Sequence, residues 1–168
     1  MVATVTGTML NAWGSDLNGQ LNLWRGSWNG QCQLESDQGV QAIGMQLEID
    51  TLDAQTLRWE ITYQGQATRP YVLRSQNGPR FLLDEQNGII LPQRLFIKQN
   101  TFRSLFSVAG SFISVEEKLV EERGRKNIFV TMTTFPLNRA QNSVGPNREK
   151  VTGYEATHLQ TCKLSLAQ

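Results

Sequence analysis

One histidine and two cysteines in 168 residues leave this chain little material for metal or nucleophile chemistry. His158 has no second imidazole to join it in a zinc site. Cys32 and Cys162 are too few for a disulfide framework and lack metal-ligand spacing. Charge of one sign is missing as well. The formal net charge is +1 and no Lys/Arg run occurs, so there is no electrostatic footprint for nucleic acid or for a membrane surface. No apolar run approaches the ~20 residues of a membrane helix, so membrane insertion is not expected. The start, MVATVTGTML, has neither a basic n-region nor a sustained apolar stretch, so no signal peptide is read. The expectation is a cytoplasmic protein with two small buried thiols in a reducing compartment. No segment repeats at a fixed period, and no helical pattern runs beyond two turns. There is no Gly-rich phosphate loop and no Ser/His/Asp set.

What is present is alternation. In Leu23–Leu34, Trp24, Gly26, Trp28, Gly30, Cys32 and Leu34 share one face, against Arg25, Ser27, Asn29, Gln31 and Gln33. Two indoles on the buried face each bring a large apolar area and an N–H that needs a partner. Gly26 and Gly30 beside them leave room for a strong bend or a close backbone approach. Gln41–Ile49 repeats the pattern with Ile43, Met45, Leu47 and Ile49 on one face, and Leu57, Trp59, Ile61 and Tyr63 do so again. Pro70–Arg74, Phe81–Leu83, Ile89–Ile97 (interrupted at Pro92), Thr101–Ala109, Phe112–Val120, Asn127–Phe135 and Ala156–Leu166 read as further strands. Arg123–Lys126 follows Glu116, Glu117, Glu121 and Glu122, which reads as a locally neutralised, solvated hairpin tip.

An apolar content of 39% with 18% charged residues fits one folded domain over 1–168. Residues 1–20 form an N-terminal extension, either a strand around Val2–Thr8 or a loose terminus, followed by a helical turn over Leu17–Leu21 capped by Ser15 or Asp16. Residues 136–153, rich in Pro, Gly and Asn, read as a long loop or lid. Short strands linked by hairpin-length turns imply an all-β, single up-and-down antiparallel β-barrel of about 8–10 strands, in which closure pairs the first main strand with the last.

Gly26-Ser27-Trp28, a Gly-x-Trp after a short helical turn, resembles the opening of the calycin barrels: lipocalins, fatty-acid-binding proteins and their relatives. The longer Gly26-x-Trp28-x-Gly30-x-Cys32 is similar to the opening of nitrobindin-type haem barrels, with Cys32 where those carry Gly. That resemblance implies a lipocalin-like fold with Trp28 across the closed end. It also implies a haem-ligating role for His158, which lies on the last strand at the comparable place. Bilin lyases of the S and T types share the architecture but none of their signature residues is found here, so that link is analogy of fold.

Candidate ligand-binding residues are the aromatic and sulfur wall of Trp24, Trp28, Met45, Trp59, Phe102 and Phe106, with Arg69 and Arg103 as inward clamps for a carboxylate and His158 as a ligand contact. The same wall also reads as plain core, the arginines (with Arg74 and Arg94) as outward surface groups, and His158 as a wet histidine at the barrel mouth. Cys32 and Cys162 fall on the two strands that closure makes neighbours, on the inner face. Free thiols fit the expected compartment, and a disulfide depends on register. His158 is four residues from Cys162 along a strand, roughly 13 Å, too far to activate it. Non-catalytic binding of a small hydrophobic or amphipathic ligand is the leading expectation. A second is a tetrapyrrole-handling protein, either a bilin lyase or chaperone or a haem-binding barrel, the lyase being the form an enzyme would take. A third is an assembly factor with a filled barrel and a protein partner.

Overall fold

The computed structural model describes residues 12–167. The strand or loose terminus expected around Val2–Thr8 lies outside them. The first element is helix α1 (Ala12–Asn22), longer than the expected turn. Ser15 and Asp16 therefore lie inside the helix rather than at its cap. Leu17 and Leu21, one turn apart, are both buried and join the core with Trp24.

Ten strands then close into one antiparallel barrel: β1 (Gly26–Ser36), β2 (Gly39–Asp53), β3 (Thr56–Tyr63), β4 (Arg69–Asn77), β5 (Arg80–Asp84), β6 (Ile90–Phe96), β7 (Thr101–Val108), β8 (Ser111–Glu122), β9 (Arg125–Pro136) and β12 (His158–Leu166). Each pairs with its sequence neighbour, and β12 fills the gap between β9 and β1. The up-and-down topology expected from the turn lengths is the one observed. β6 runs through Pro92 without a break: Pro92 stands opposite Leu82, and the ladder to β7 begins only at Arg94. The missing N–H is thus placed where no partner on that side needs it. Segment 136–153 holds a 3-10 turn (Leu137–Arg139) and a separate two-stranded ribbon, β10 (Gln141–Val144) and β11 (Lys150–Gly153).

The barrel has two unlike ends. Helix α1 feeds into the end where β1 begins. Here Trp24, Trp59, Phe81 and Phe102 form an aromatic floor, with Trp24–Phe102 centroids 5.0 Å apart and Phe81–Phe102 5.2 Å in edge-to-face contact. Each such pair is worth about 0.5–1.5 kcal/mol beyond its buried area. Trp28, fully buried, donates its indole N–H to the Trp24 carbonyl at 2.9 Å, tying the strand to the chain segment that enters it. The Trp24 indole N–H has no partner among the described residues. The opposite end carries the β1–β2, β3–β4, β5–β6 and β7–β8 turns and the long connection to β12.

The register sets Cys32 directly opposite Cys162, and the two are joined in a disulfide, which corrects the expectation of free thiols. Their Cα atoms are 3.9 Å apart, a spacing set by direct cross-strand opposition rather than by the longer reach that most disulfides bridge. The bond staples the first barrel strand to the last, across the closure seam, over a sequence separation of 130. Cys32→Ala/Cys162→Ala is expected to cost about 2–5 kcal/mol in urea unfolding, because the lost cross-link releases a long closed loop in the unfolded chain. Adding reductant to the wild type should reproduce the loss; unchanged midpoints in both experiments would show that the staple contributes nothing.

Candidate functional site

Above the aromatic floor the barrel interior is not filled. A cavity of about 460 Å3 remains, within the usual range for small-molecule sites. Its wall is mostly apolar: Leu34, Ile43, Met45 and Leu47 from β1 and β2, Trp59 and Ile61 from β3, Phe106 from β7, Val130 and Met132 from β9. These come from alternate positions of strands whose other face is wet, so the same period that builds the barrel also lines the cavity.

Polar groups interrupt this wall in three places. Near the turn-bearing end, Arg69 lies over the Tyr63 ring at 5.4 Å and donates to the Gln66 side chain at 3.0 Å, beside Tyr71 and Glu85. Burial, and then the Glu85 charge, push the Tyr71 hydroxyl above its ordinary range. Across the seam, Gln160 donates to the Tyr63 hydroxyl at 2.9 Å and lies 3.3 Å from the Cys162 sulfur. The third patch is Gln93, Ser104 and Glu117, all buried, on the adjacent strands β6, β7 and β8.

Glu117 is the most unusual of these groups. The register pairs it with Phe102 of the floor on one side and Val130 on the other. No ion pair reaches it among the described residues, and burial alone pushes its carboxyl up to about 7. The folded protein therefore holds this proton more tightly than the unfolded chain. The associated stability is fully present below the ordinary carboxyl range and is lost as pH rises from about 4.5 through 7. A loss on the order of 2–3 kcal/mol is expected across that window. Glu117→Gln should flatten it, read as the difference between urea midpoints at pH 5 and pH 8. An equal pH slope in the variant would assign the effect to other groups.

The sequence-derived candidates separate into three groups. Met45, Trp59, Phe106 and Arg69 line the cavity. Trp24, Trp28 and Phe102 are fully buried at the closed end, beneath it. Arg103 and His158 are elsewhere. The Arg103 guanidinium is half exposed on the outer face, 2.6 Å from Glu116 and against the Phe96 ring. Arg74 and Arg94 are exposed too, Arg74 pairing with Asp84. His158 is exposed at the first position of β12, its Nδ1 2.9 Å from the Thr157 hydroxyl, and is not among the lining residues. Its parity points inward, but it stands at the rim, one step beyond the cavity wall.

The sequence pattern places Glu117 in a solvated acidic run, and the structure does not. The correction follows from parity: Ile113, Val115, Glu117 and Leu119 are one face of β8, and only Glu116 and Lys118 beside it face out. No group of three or more His, Cys, Asp or Glu that could hold a metal ion occurs among the described residues. No helix among them is long and apolar enough to cross a membrane.

Comparison with known proteins adds little to this geometry. No family model matches the chain, and no curated protein is significantly similar to it. Among solved structures, one titled as EF1p2_mFAP2b bound to DFHBI is similar over 90% of this chain and 99% of that one. It is 10% identical, with a TM-score of 0.35, a likeness too slight to bear on the ligand or the activity of this chain.

Proposed function

We propose that this chain is a single-domain, calycin-like barrel that binds one small amphipathic ligand without catalysis. The observation that carries this reading is the cavity of about 460 Å3 left between the aromatic floor and the open turns. A filled assembly barrel would bring side chains into that space. The apolar wall with a few polar groups suits a ligand whose body is hydrophobic and whose polar end is oriented. The ribbon β10–β11 leaves and rejoins the barrel at the same end as the mouth, which supports a lid role for 136–153. The haem form of the tetrapyrrole reading loses its support, because the chain's one imidazole lies outside the cavity wall.

Nile red, a neutral hydrophobic fluorophore, tests the reading. Wild type should shift its emission to the blue. Val115→Trp, which places an indole in the cavity, should abolish the shift while leaving the β-sheet circular dichroism unchanged. Equal responses of the two proteins would overturn the proposal. The Cys32–Cys162 bond also favours an oxidising compartment over the cytoplasm. Thiol trapping in the native cells checks this: two unreactive cysteines support it and two alkylated ones refute it.

A further inference from the structure

We infer that the ligand carries a basic nitrogen, seated at the bottom of the cavity against Glu117 with its apolar body directed toward the mouth. This rests on the binding-barrel reading and names the ligand's chemistry. Glu117 is a buried carboxyl placed by register on the aromatic floor, in a cavity whose mostly apolar wall includes Leu47, Trp59 and Val130. A carboxylate in such surroundings is costly unless a cation accompanies it. Among the described residues no Lys, Arg or His side chain pairs with it, so a cation that keeps Glu117 ionised comes with the ligand, and without one the carboxyl stays protonated.

Two neighbouring features suit the same group. Trp59 lines the cavity, and its indole face attracts a cation electrostatically. Ser104 on the adjoining strand β7 and Gln93 on β6 beyond it, both buried and lining the cavity, offer oxygens that accept the remaining N–H bonds of an ammonium. An anionic ligand end would meet the carboxyl at this depth and is excluded from it. The cavity's other ionisable groups, Tyr63, Arg69, Tyr71 and Glu85, cluster around the β3–β4 and β5–β6 turns, and the one cation among them, Arg69, is exposed there.

Calorimetric titration with three probes of one shape tests the inference: 2-naphthylmethylamine, 2-naphthylmethanol and 2-naphthoate. At pH 8 the amine should bind wild type at least ten-fold more tightly than the alcohol, and the carboxylate most weakly. The preference for amine over alcohol should fall between pH 8 and pH 5.5, where Glu117 takes up its proton and the amine keeps its charge. In Glu117→Gln the preference should be lost while the affinity for the alcohol is kept. Should that variant fail to fold, the pH series on wild type carries the test alone. Alcohol or carboxylate binding as tightly as the amine overturns the inference and leaves the binding-barrel reading standing. Failure of all three probes and of Nile red to bind overturns both.

Discussion

Trp28→Ala is expected to lower the urea midpoint by the equivalent of about 3–5 kcal/mol, or to yield insoluble protein. Trp28 is fully buried at the closed end of the barrel, in the middle of the aromatic and aliphatic floor. Truncation removes its transfer energy and leaves a void that rigid strands on both sides cannot close. It also removes the donor to the Trp24 carbonyl, leaving a buried acceptor without its partner. A domain of this size has only about 5–15 kcal/mol of stability in total, so a loss of this size is visible in any equilibrium method. Gln33→Ala, on the exposed face of the same strand, serves as the control and should fall within about 0.5 kcal/mol of wild type. If the two variants unfold at the same midpoint, the inward facing of β1 is wrong and the aromatic floor is not what holds the barrel's end.

The barrel was legible in the sequence because its signal is a period. Met45, Leu47 and Ile49, or Leu57 and Trp59, announce a half-buried strand by themselves, and the hairpin-length turns fix the order in which such strands pair. Closure between β1 and β12 followed from the need to cover two edges. Which inward residues fill the interior and which line a space was not legible, because parity says only which face a side chain is on. Trp28 and Phe106 obey the same alternation, yet one lies in the floor and the other beside the cavity; their heights along the barrel decide it. Height depends on strand tilt and stagger, which no local pattern encodes. His158 shows the same limit: correct parity, but one residue too near the rim.

Glu117 failed for another reason. A run of carboxylates beside a basic turn is almost always solvated, so the composition of this stretch masks the inward parity of one member. An acidic residue at an inward position between Val115 and Leu119 breaks the local rule for a buried strand face. Such breaks concentrate where function requires them. The disulfide was undecidable for a similar cause: the two cysteines could be placed on neighbouring strands from closure, but only the observed register sets them directly opposite.

Gly30→Ala should be the most disruptive Gly→Ala change among the described residues. Gly30 stands opposite Leu164 across the closure seam, and a Cβ there would overlap the Lys163 carbonyl oxygen and lie 2.9 Å from the Leu164 Cα. Those are backbone atoms of β12, held on their far side by the ladder to β9, so they cannot swing aside as a side-chain end can. Overpacking a core costs about 1–3 kcal/mol when side chains relax around it. Here a strand has to move, and a loss of about 3 kcal/mol or more is expected. Gly44→Ala is the matched control. Its Cβ would meet only the flexible Gln64 side chain, 3.3 Å away at the nearest atom, and alanine suits a strand better than glycine. Its midpoint should lie within about 0.5 kcal/mol of wild type or slightly above. Hydrogen exchange locates the damage: in Gly30→Ala the amides of β12 should lose protection first, while those of β5 and β6, on the far side of the barrel, keep it until global unfolding. Uniform loss of protection in both regions, or a Gly30→Ala midpoint no lower than that of Gly44→Ala, would show that β1 and β12 do not approach as closely at the seam as the structure places them.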